Sequence, residues 1–252
     1  MIAFCGPVIA ELGWEIITLQ SYFRALSKHF DKTYVCSFPD SRFLYDDFCH
    51  EFIPHLHPTR ALNWWDKENI EGVRYNVPDD VTHCVKPVRE YRNNSRKFIK
   101  YGVRAPISTY DYLIHPRHIS KGAAKNYTIE LWDRIIAGLH KRGALVASIG
   151  KDPDWHIEGT DDLRGIDGDL LTRYMAGCKC VIGGSSGVMH LATLCLAPIV
   201  VWGDSRTYFN ETLERRYSIT WNPFGSPVRF IFDDDWKPDP ERVLEAVSTY
   251  AR

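Results

Sequence analysis

The amino-acid sequence predicts an α/β protein built from two doubly wound halves. Short apolar runs alternate with segments whose apolar residues recur at helical spacing, the pattern left by parallel strands and the crossover helices that join them. The alternation fails after Pro54 and restarts after Pro106, so it falls into two blocks. With 252 residues, 44% apolar and 25% charged, the chain exceeds one ordinary domain and can bury a large core without disulfides or structural metal.

The first block opens with Ile2 to Cys5, an apolar strand ended by the Gly6-Pro7 pair. A helix is predicted from Trp14 to Phe30, where Ile16, Ile17, Leu19, Tyr22, Phe23 and Leu26 recur at helical intervals. A strand from Lys32 to Ser37, a short helix from Arg42 to Cys49 and a strand from Glu51 to Pro54 follow. From Pro54 to Thr82 no period holds. Val85 to Arg104 is strongly basic, with Lys86, Arg89, Arg92, Arg96, Lys97, Lys100 and Arg104 against Glu90 alone, and Tyr91, Phe98 and Tyr101 interleaved.

The second block reads as a strand from Tyr112 to His115, a helix from Thr128 to Arg142 and a strand from Ala144 to Ile149. A short helix from Gly168 to Met175, a strand from Cys180 to Ile182, a helix from Ser186 to Cys195 and a strand from Ile199 to Trp202 complete the alternation. The tail from Pro238 to Tyr250 starts Pro-Asp-Pro and carries Val243, Leu244 and Val247 on one face, which predicts a capped terminal helix.

Thirty-one Lys and Arg against 32 Asp and Glu leave a net charge of -1, so no global attraction to nucleic acid or anionic lipid is expected. No stretch approaches the roughly 18 uninterrupted apolar residues of a membrane span, and the opening run lacks the basic start of a signal peptide. The 7 cysteines are scattered without paired metal-ligand spacing, as expected for free thiols in a reducing cytoplasm. His50, His55, His57, His83 and Cys84 have the chemistry of zinc ligands but fit no standard spacing, and no metal site is predicted.

The most informative segment follows the strand at Cys180: Val181-Ile182-Gly183-Gly184-Ser185-Ser186-Gly187-Val188-Met189-His190-Leu191-Ala192. Its glycines let the backbone turn and approach a ligand, its serines supply hydroxyls, and a helix starting there points amide groups and a positive dipole end outward. That is an anion cradle suited to a phosphate or diphosphate. An ordinary Gly-Ser helix cap is the competing reading.

This segment, followed by Leu194, Pro198 and Val200-Val201-Trp202-Gly203, resembles the donor-site signature of the heptosyltransferase-like glycosyltransferases. Ile114-His115-Pro116-Arg117, then Lys125-Asn126-Tyr127 before a helix and Gly143 to Gly150 as a strand, is similar to the opening of that family's second domain. Gly6 to Trp14 stands where the family has a short loop carrying an acidic residue, here Glu11. The resemblance covers the second half well and the first half only at its beginning.

The resemblance implies two Rossmann-like domains facing a cleft, the GT-B type. Residues 1-107 would form the acceptor-side domain and 108-252 the nucleotide-sugar domain, with the terminal helix 238-250 a candidate to pack back on the first. It further implies a cytoplasmic, inverting glycosyltransferase that uses a nucleotide-diphosphate sugar as substrate, with no cofactor and no metal. Glu11 is then the candidate catalytic base, against the alternative of a carboxylate serving the helix dipole, with Glu15 as substitute. Gly184, Ser185, Ser186, Gly187 and His190 would hold the donor, Arg117 and Lys125 would offset leaving-group charge, and Asp204 would touch the donor or cap a turn. Ser185 departs from the family, which commonly places an acidic residue there against the donor sugar.

Two acceptors remain open. One is a saccharide or lipid-linked saccharide. The other is a hydroxymethylated base in DNA, as in compact phage transferases acting in the host cytoplasm, with Arg89, Arg92, Arg96, Lys97 and Lys100 as candidate acceptor contacts along the phosphates. A solvated helix face plus linker is the plainer account of that stretch. A nucleotide-sugar-binding protein or an epimerase on the same architecture is the alternative of another class.

Overall fold

A computed structural model describes residues 1–60, 70–87, 95–119, 123–208 and 211–250. The chain divides into two compact units, Met1–Ile99 and Lys100–Arg252.

The first unit contains β1 (Ile2–Cys5), α1 (Leu12–Trp14), a π-helical turn (Glu15–Leu19), α2 (Gln20–Ser27), β2 (Lys32–Ser37), a 3-10 turn (Pro39–Leu44), β3 (Glu51–Pro54) and β4 (His83–Val85). Its strands are parallel in the order β3-β2-β1-β4. Phe4, Tyr34 and Cys36 pack on one another, and Tyr75 stacks on Phe4 with ring centroids 5.5 Å apart. The expected helix from Trp14 to Phe30 instead spans the α1–π–α2 run, ending at Ser27. The amides of His29 and Phe30 bond three residues back, to Leu26 and Ser27, which tightens the chain into a turn. The helix expected from Arg42 to Cys49 is replaced by the 3-10 turn after Phe38, where Ser41 and Tyr45 also bond three residues back.

The second unit contains β5 (Tyr112–His115), α3 (Ile129–His140), β6 (Val146–Ser148), β7 (Asp161–Asp162), α4 (Gly168–Gly177), β8 (Cys180–Gly184), α5 (Gly187–Leu194) and β9 (Ile199–Gly203). A small antiparallel pair, β10 (Thr207–Tyr208) and β11 (Glu211–Thr212), leads into α6 (Leu213–Arg215) and a second π-helical turn (Arg216–Thr220), then β12 (Val228–Phe232) and α7 (Pro240–Ser248). The main sheet is parallel in the order β12-β9-β8-β5-β6-β7. Strand order therefore reverses between β5 and β8, and in the first sheet between β1 and β4, leaving at each place the crevice where doubly wound sheets bind ligands.

The division falls at residues 99 and 100 rather than at 107 and 108. Residues 101 to 107 are tied to the second unit: Tyr101 N–H donates to Leu194 O at 3.1 Å and Ile107 N–H to Arg173 O at 2.9 Å. Gly102, with φ +68°, lies so close to α4 that a Cβ there would sit 2.1 Å from Thr172 O. Val243, Leu244 and Val247 of α7 are buried in the second unit's own core with Trp132, Ile135, Ile136 and Leu139 of α3. Leu244 occupies the space left by the missing side chain of Gly138.

Candidate functional site

β5 and β8 lie side by side in register, Ile114 opposite Ile182 and His115 opposite Gly183, so the two strands end together at the switch point. His115 is 4% exposed. Its Nδ1 lies 3.0 Å from Ser186 Oγ and its Nε2 3.2 Å from Asp154 Oδ2, a Ser–His–Asp relay assembled from a strand end and two separate loops. Asp154 also accepts the amides of His118 and Lys151, at 2.9 and 3.2 Å. Burial alone would raise its carboxyl, but the His115 contact and these amides outweigh it and hold the group below the usual carboxylate range. The ring is flanked by glycine. A Cβ on Gly150, whose φ is +127°, would stand 2.5 Å from Asp154 Oδ2 and 3.1 Å from His115 Cδ2, so a side chain there would displace the relay.

Ser186 is the residue before α5, yet its hydroxyl makes no cap to the helix. The bond to His115 takes its place. Ser185 is set from two sides: its amide donates to Trp202 O at 2.9 Å, and its carbonyl accepts from Arg117 Nη1 at 3.3 Å. Arg117 is thereby brought to the cradle, its own amide donating to His115 O at 2.8 Å. Gly184 stands against the Trp202 indole, which a Cβ would approach to 3.2 Å.

The second π-helical turn supplies a residue that sequence reasoning does not single out. Tyr217 is fully buried and its hydroxyl donates to Ser185 Oγ at 2.9 Å while accepting the Ser186 amide at 3.2 Å. Burial pushes its phenol well up, so the hydroxyl keeps its proton. His190 stacks on Tyr217 with centroids 4.9 Å apart and meets Trp221 edge-on at 4.6 Å. Burial, with the nearby Arg216 charge, lowers the His190 imidazole to about 3, so it is neutral. Its Nδ1 is buried with no hydrogen-bond partner among the described residues.

Lys125 and Asp204 sit on other contacts of the second unit. The Lys125 ammonium lies over the Trp236 ring, 4.4 Å from its centroid. Asp204, 2% exposed, accepts from Arg206 Nε at 2.6 Å.

In the first unit, Glu11 is exposed and precedes α1, with no side-chain cap bond. Glu15 is fully buried. Its carboxylate accepts from Ser37, from Ser41 and Tyr45 at 2.8 Å each, and pairs with Arg60. Glu15 is thus a structural carboxylate that locks the π turn to the end of β2, and the substitute-base expectation for it is corrected. Arg60, which reaches Asp40 at 2.7 Å as well, escaped sequence reading because it lies within the aperiodic stretch from Pro54 to Thr82. His55, one of the zinc-like histidines, has Nε2 2.7 Å from Val8 O and its ring edge-on to Phe38.

Of the basic stretch, Arg89 and Arg92 lie outside the described residues. Residues 95 to 100 are irregular chain rather than helix, correcting the helix-face expectation for them. Lys97 N–H donates to Ser21 O at 2.9 Å, and Arg96 Nη1 turns in to Ile17 O of the first π turn at 3.0 Å. Lys100 lies over the Phe224 ring at 5.5 Å.

Two parallel doubly wound sheets, each with its crevice at a strand-order reversal, define a GT-B-type α/β architecture. No family model and no curated protein sequence matches the chain. Among solved structures, the fold matches that of the ADP-heptose lipopolysaccharide heptosyltransferase II of Escherichia coli, with TM-score 0.60, 15% identity, 99% of this chain and 98% of that chain covered. A family 9 glycosyl transferase from Veillonella parvula gives TM-score 0.63 and 14% identity over 99% of this chain and 96% of that one. The E. coli heptosyltransferase WaaC with ADP gives 0.61 and 12% over 99% of this chain and all (100%) of that one. The GT-B expectation is borne out at the level of fold. No helix among the described residues is long and apolar enough to cross a membrane.

Proposed function

We propose that the protein is a glycosyltransferase that moves a sugar from a nucleotide-diphosphate donor to an acceptor hydroxyl, with inversion and without a metal or cofactor. The observation that carries this reading is the Ser185-Ser186-Gly187 turn at the second unit's switch point. It opens an eight-residue helix with no side-chain cap and is held by Arg117 and Tyr217. Helix-end amides and a guanidinium are a fitting environment for a departing diphosphate. The fold shared with the heptosyltransferase WaaC solved with ADP, and with the heptosyltransferase TibC solved in complex with ADP-D-beta-D-heptose, supports the same reading.

Glu11 is the base in this proposal. It takes the acceptor hydroxyl's proton as the new C–O bond forms at the anomeric carbon, and the electrons of the old bond leave with the diphosphate. Arg117, with Lys125, offsets the leaving charge. His190 and Asp204 complete the donor side, His190 through its stack on Tyr217. Ser185 in place of an acidic residue points to a donor sugar held through hydroxyl rather than carboxylate contacts. A saccharide or lipid-linked saccharide is the acceptor we favour, because Arg96 turns inward to Ile17 O and leaves the basic stretch with less outward charge than its composition suggests.

Nucleotide sugars screened by thermal shift, then by release of nucleotide diphosphate with saccharide acceptors, test the proposal. Glu11→Gln should keep donor-induced stabilisation while turnover falls roughly 100-fold or more. If no nucleotide sugar raises the melting temperature, the donor assignment fails.

A further inference from the structure

The Ser186–His115–Asp154 relay has a chemical consequence that neither the fold nor a simple phosphate cradle requires. Asp154 is a carboxylate and can only accept, so the Nε2 it faces carries the ring hydrogen. In the neutral ring Nδ1 is then a lone pair, and the Ser186 hydroxyl must donate into it across 3.0 Å. In that state Ser186 presents lone pairs to anything approaching the start of α5. An anion is repelled by the very hydroxyl that should receive it. When the ring takes a second proton, Nδ1–H donates to Ser186 Oγ, and the hydroxyl hydrogen is released to an incoming phosphate oxygen. Asp154 balances the charge so formed.

Resting on the donor-site reading above, we propose that Ser186, His115 and Asp154 form a proton-linked anion site, in which binding of the donor's diphosphate draws one proton from solvent onto His115. The groups facing His115 are accounted for element by element. From β5 itself Arg117 follows two residues on and turns its guanidinium to Ser185 O. From the loop after β6 come Asp154, the Lys151 amide and, through the Asp154 carbonyl, Arg164, which is itself paired with Asp162. The segment after β5 adds the His118 amide on Asp154. β8 offers only Gly183, where a Cβ would stand 3.2 Å from His115 Cβ, and the turn before α5 offers Ser186. Asp154 is therefore the one carboxylate in direct contact with the imidazole among the described residues. The linkage has a fixed sign. The protonated ring binds the anion better, so affinity is highest at low pH and falls as pH rises, by no more than about tenfold per pH unit for one linked proton.

Isothermal titration calorimetry with ADP-glucose and UDP-glucose tests this, since both phosphates of each are esterified and hold constant charge between about pH 6 and 8.5. Measuring the binding heat at one pH in two buffers of different protonation enthalpy counts the protons taken up. The wild-type protein should take up a proton on binding, at most one per ligand, and lose affinity as pH rises. His115→Gln should bind with an affinity independent of pH and no uptake. Ser186→Ala, which leaves the buried ring in place, should also lose the uptake and stands in if the histidine variant fails to fold. Zero uptake by wild-type protein that binds the ligand overturns the proposal, as does undiminished uptake by Ser186→Ala. Absence of binding of either ligand at every pH overturns the donor-site reading and the relay with it.

Discussion

His190→Phe is the substitution whose consequence can be worked furthest from the structure. The imidazole is 6% exposed, stacked on Tyr217 and edge-on to Trp221, and is lowered to about 3 by burial first and the Arg216 charge second. A histidine depressed in the folded state contributes stability that is fully present above its unfolded value of about 6.5 and is lost as pH falls below it. Near pH 5 the unfolded chain has taken up the proton and the folded chain has not, which costs the native state about 2 kcal/mol. Any folded value below about 4 gives the same loss there, because the ring is neutral either way. Phe keeps a ring of similar shape, removes the unpartnered Nδ1 and cannot titrate, so the variant should equal or exceed the wild type near pH 7.5 and outlast it by about 2 kcal/mol near pH 5. Urea denaturation at the two pH values, followed by tryptophan fluorescence, reads both quantities. A variant that loses stability between them as steeply as the wild type would refute the reasoning and place the acid-labile group elsewhere.

Glu15→Gln removes the buried carboxylate that Ser37, Ser41 and Tyr45 donate to and leaves Arg60 with the exposed Asp40 alone, so a loss of about 3 kcal/mol in chemical denaturation is expected, far above what an exposed helix-end carboxylate would cost. Glu11→Gln, at an exposed and uncapped position, should leave that same denaturation midpoint unchanged while turnover falls. Tyr217→Phe removes the hydroxyl that joins Ser185 Oγ and the Ser186 amide, and donor affinity by calorimetry should fall about tenfold, near 1.4 kcal/mol. Gly138→Ala would place a Cβ 2.4 Å from a Leu244 methyl, so the buried Leu244 side chain must repack, at a cost of roughly 1–3 kcal/mol in thermal or urea unfolding, with the donor site untouched.

Local pattern was sufficient wherever an element is buried on both sides. β1, β5, β8 and β9 are near-continuous apolar runs, and β2 carries Tyr34, Val35 and Cys36 at its centre, because helices or loops cover both faces of a parallel sheet, and each is found within two residues of its expected ends. The Gly-Ser turn before α5 was legible for a related reason: a strand that must give way to a helix beside a ligand needs glycine and small hydroxyl residues in sequence, and that requirement is local. β4, β7 and β12 escaped notice, and all three are sheet edges. In β4 and β7 every side chain is half-exposed or exposed and no apolar run marks them, and in β12 only Ile231 is buried; all three are ordered by the ladder of the neighbouring strand.

The relay and the buried ion pair belong to the other category. His115, Asp154 and Ser186 are 39 and 71 positions apart in the pairs that bond, and they converge only because β5 and β8 become neighbours when the strand order reverses. Tyr217 reaches the cradle through a π-helical turn, a register no hydrophobic period announces. Glu15 reads in the sequence only as a substitute for Glu11, yet it is drawn into the core by three hydroxyls and Arg60 from distant segments. Composition and period fix which residues seek the interior, since burial of apolar area is a property of each residue and its near neighbours. Which polar groups then meet depends on strand order and register, and those are set by the whole sheet.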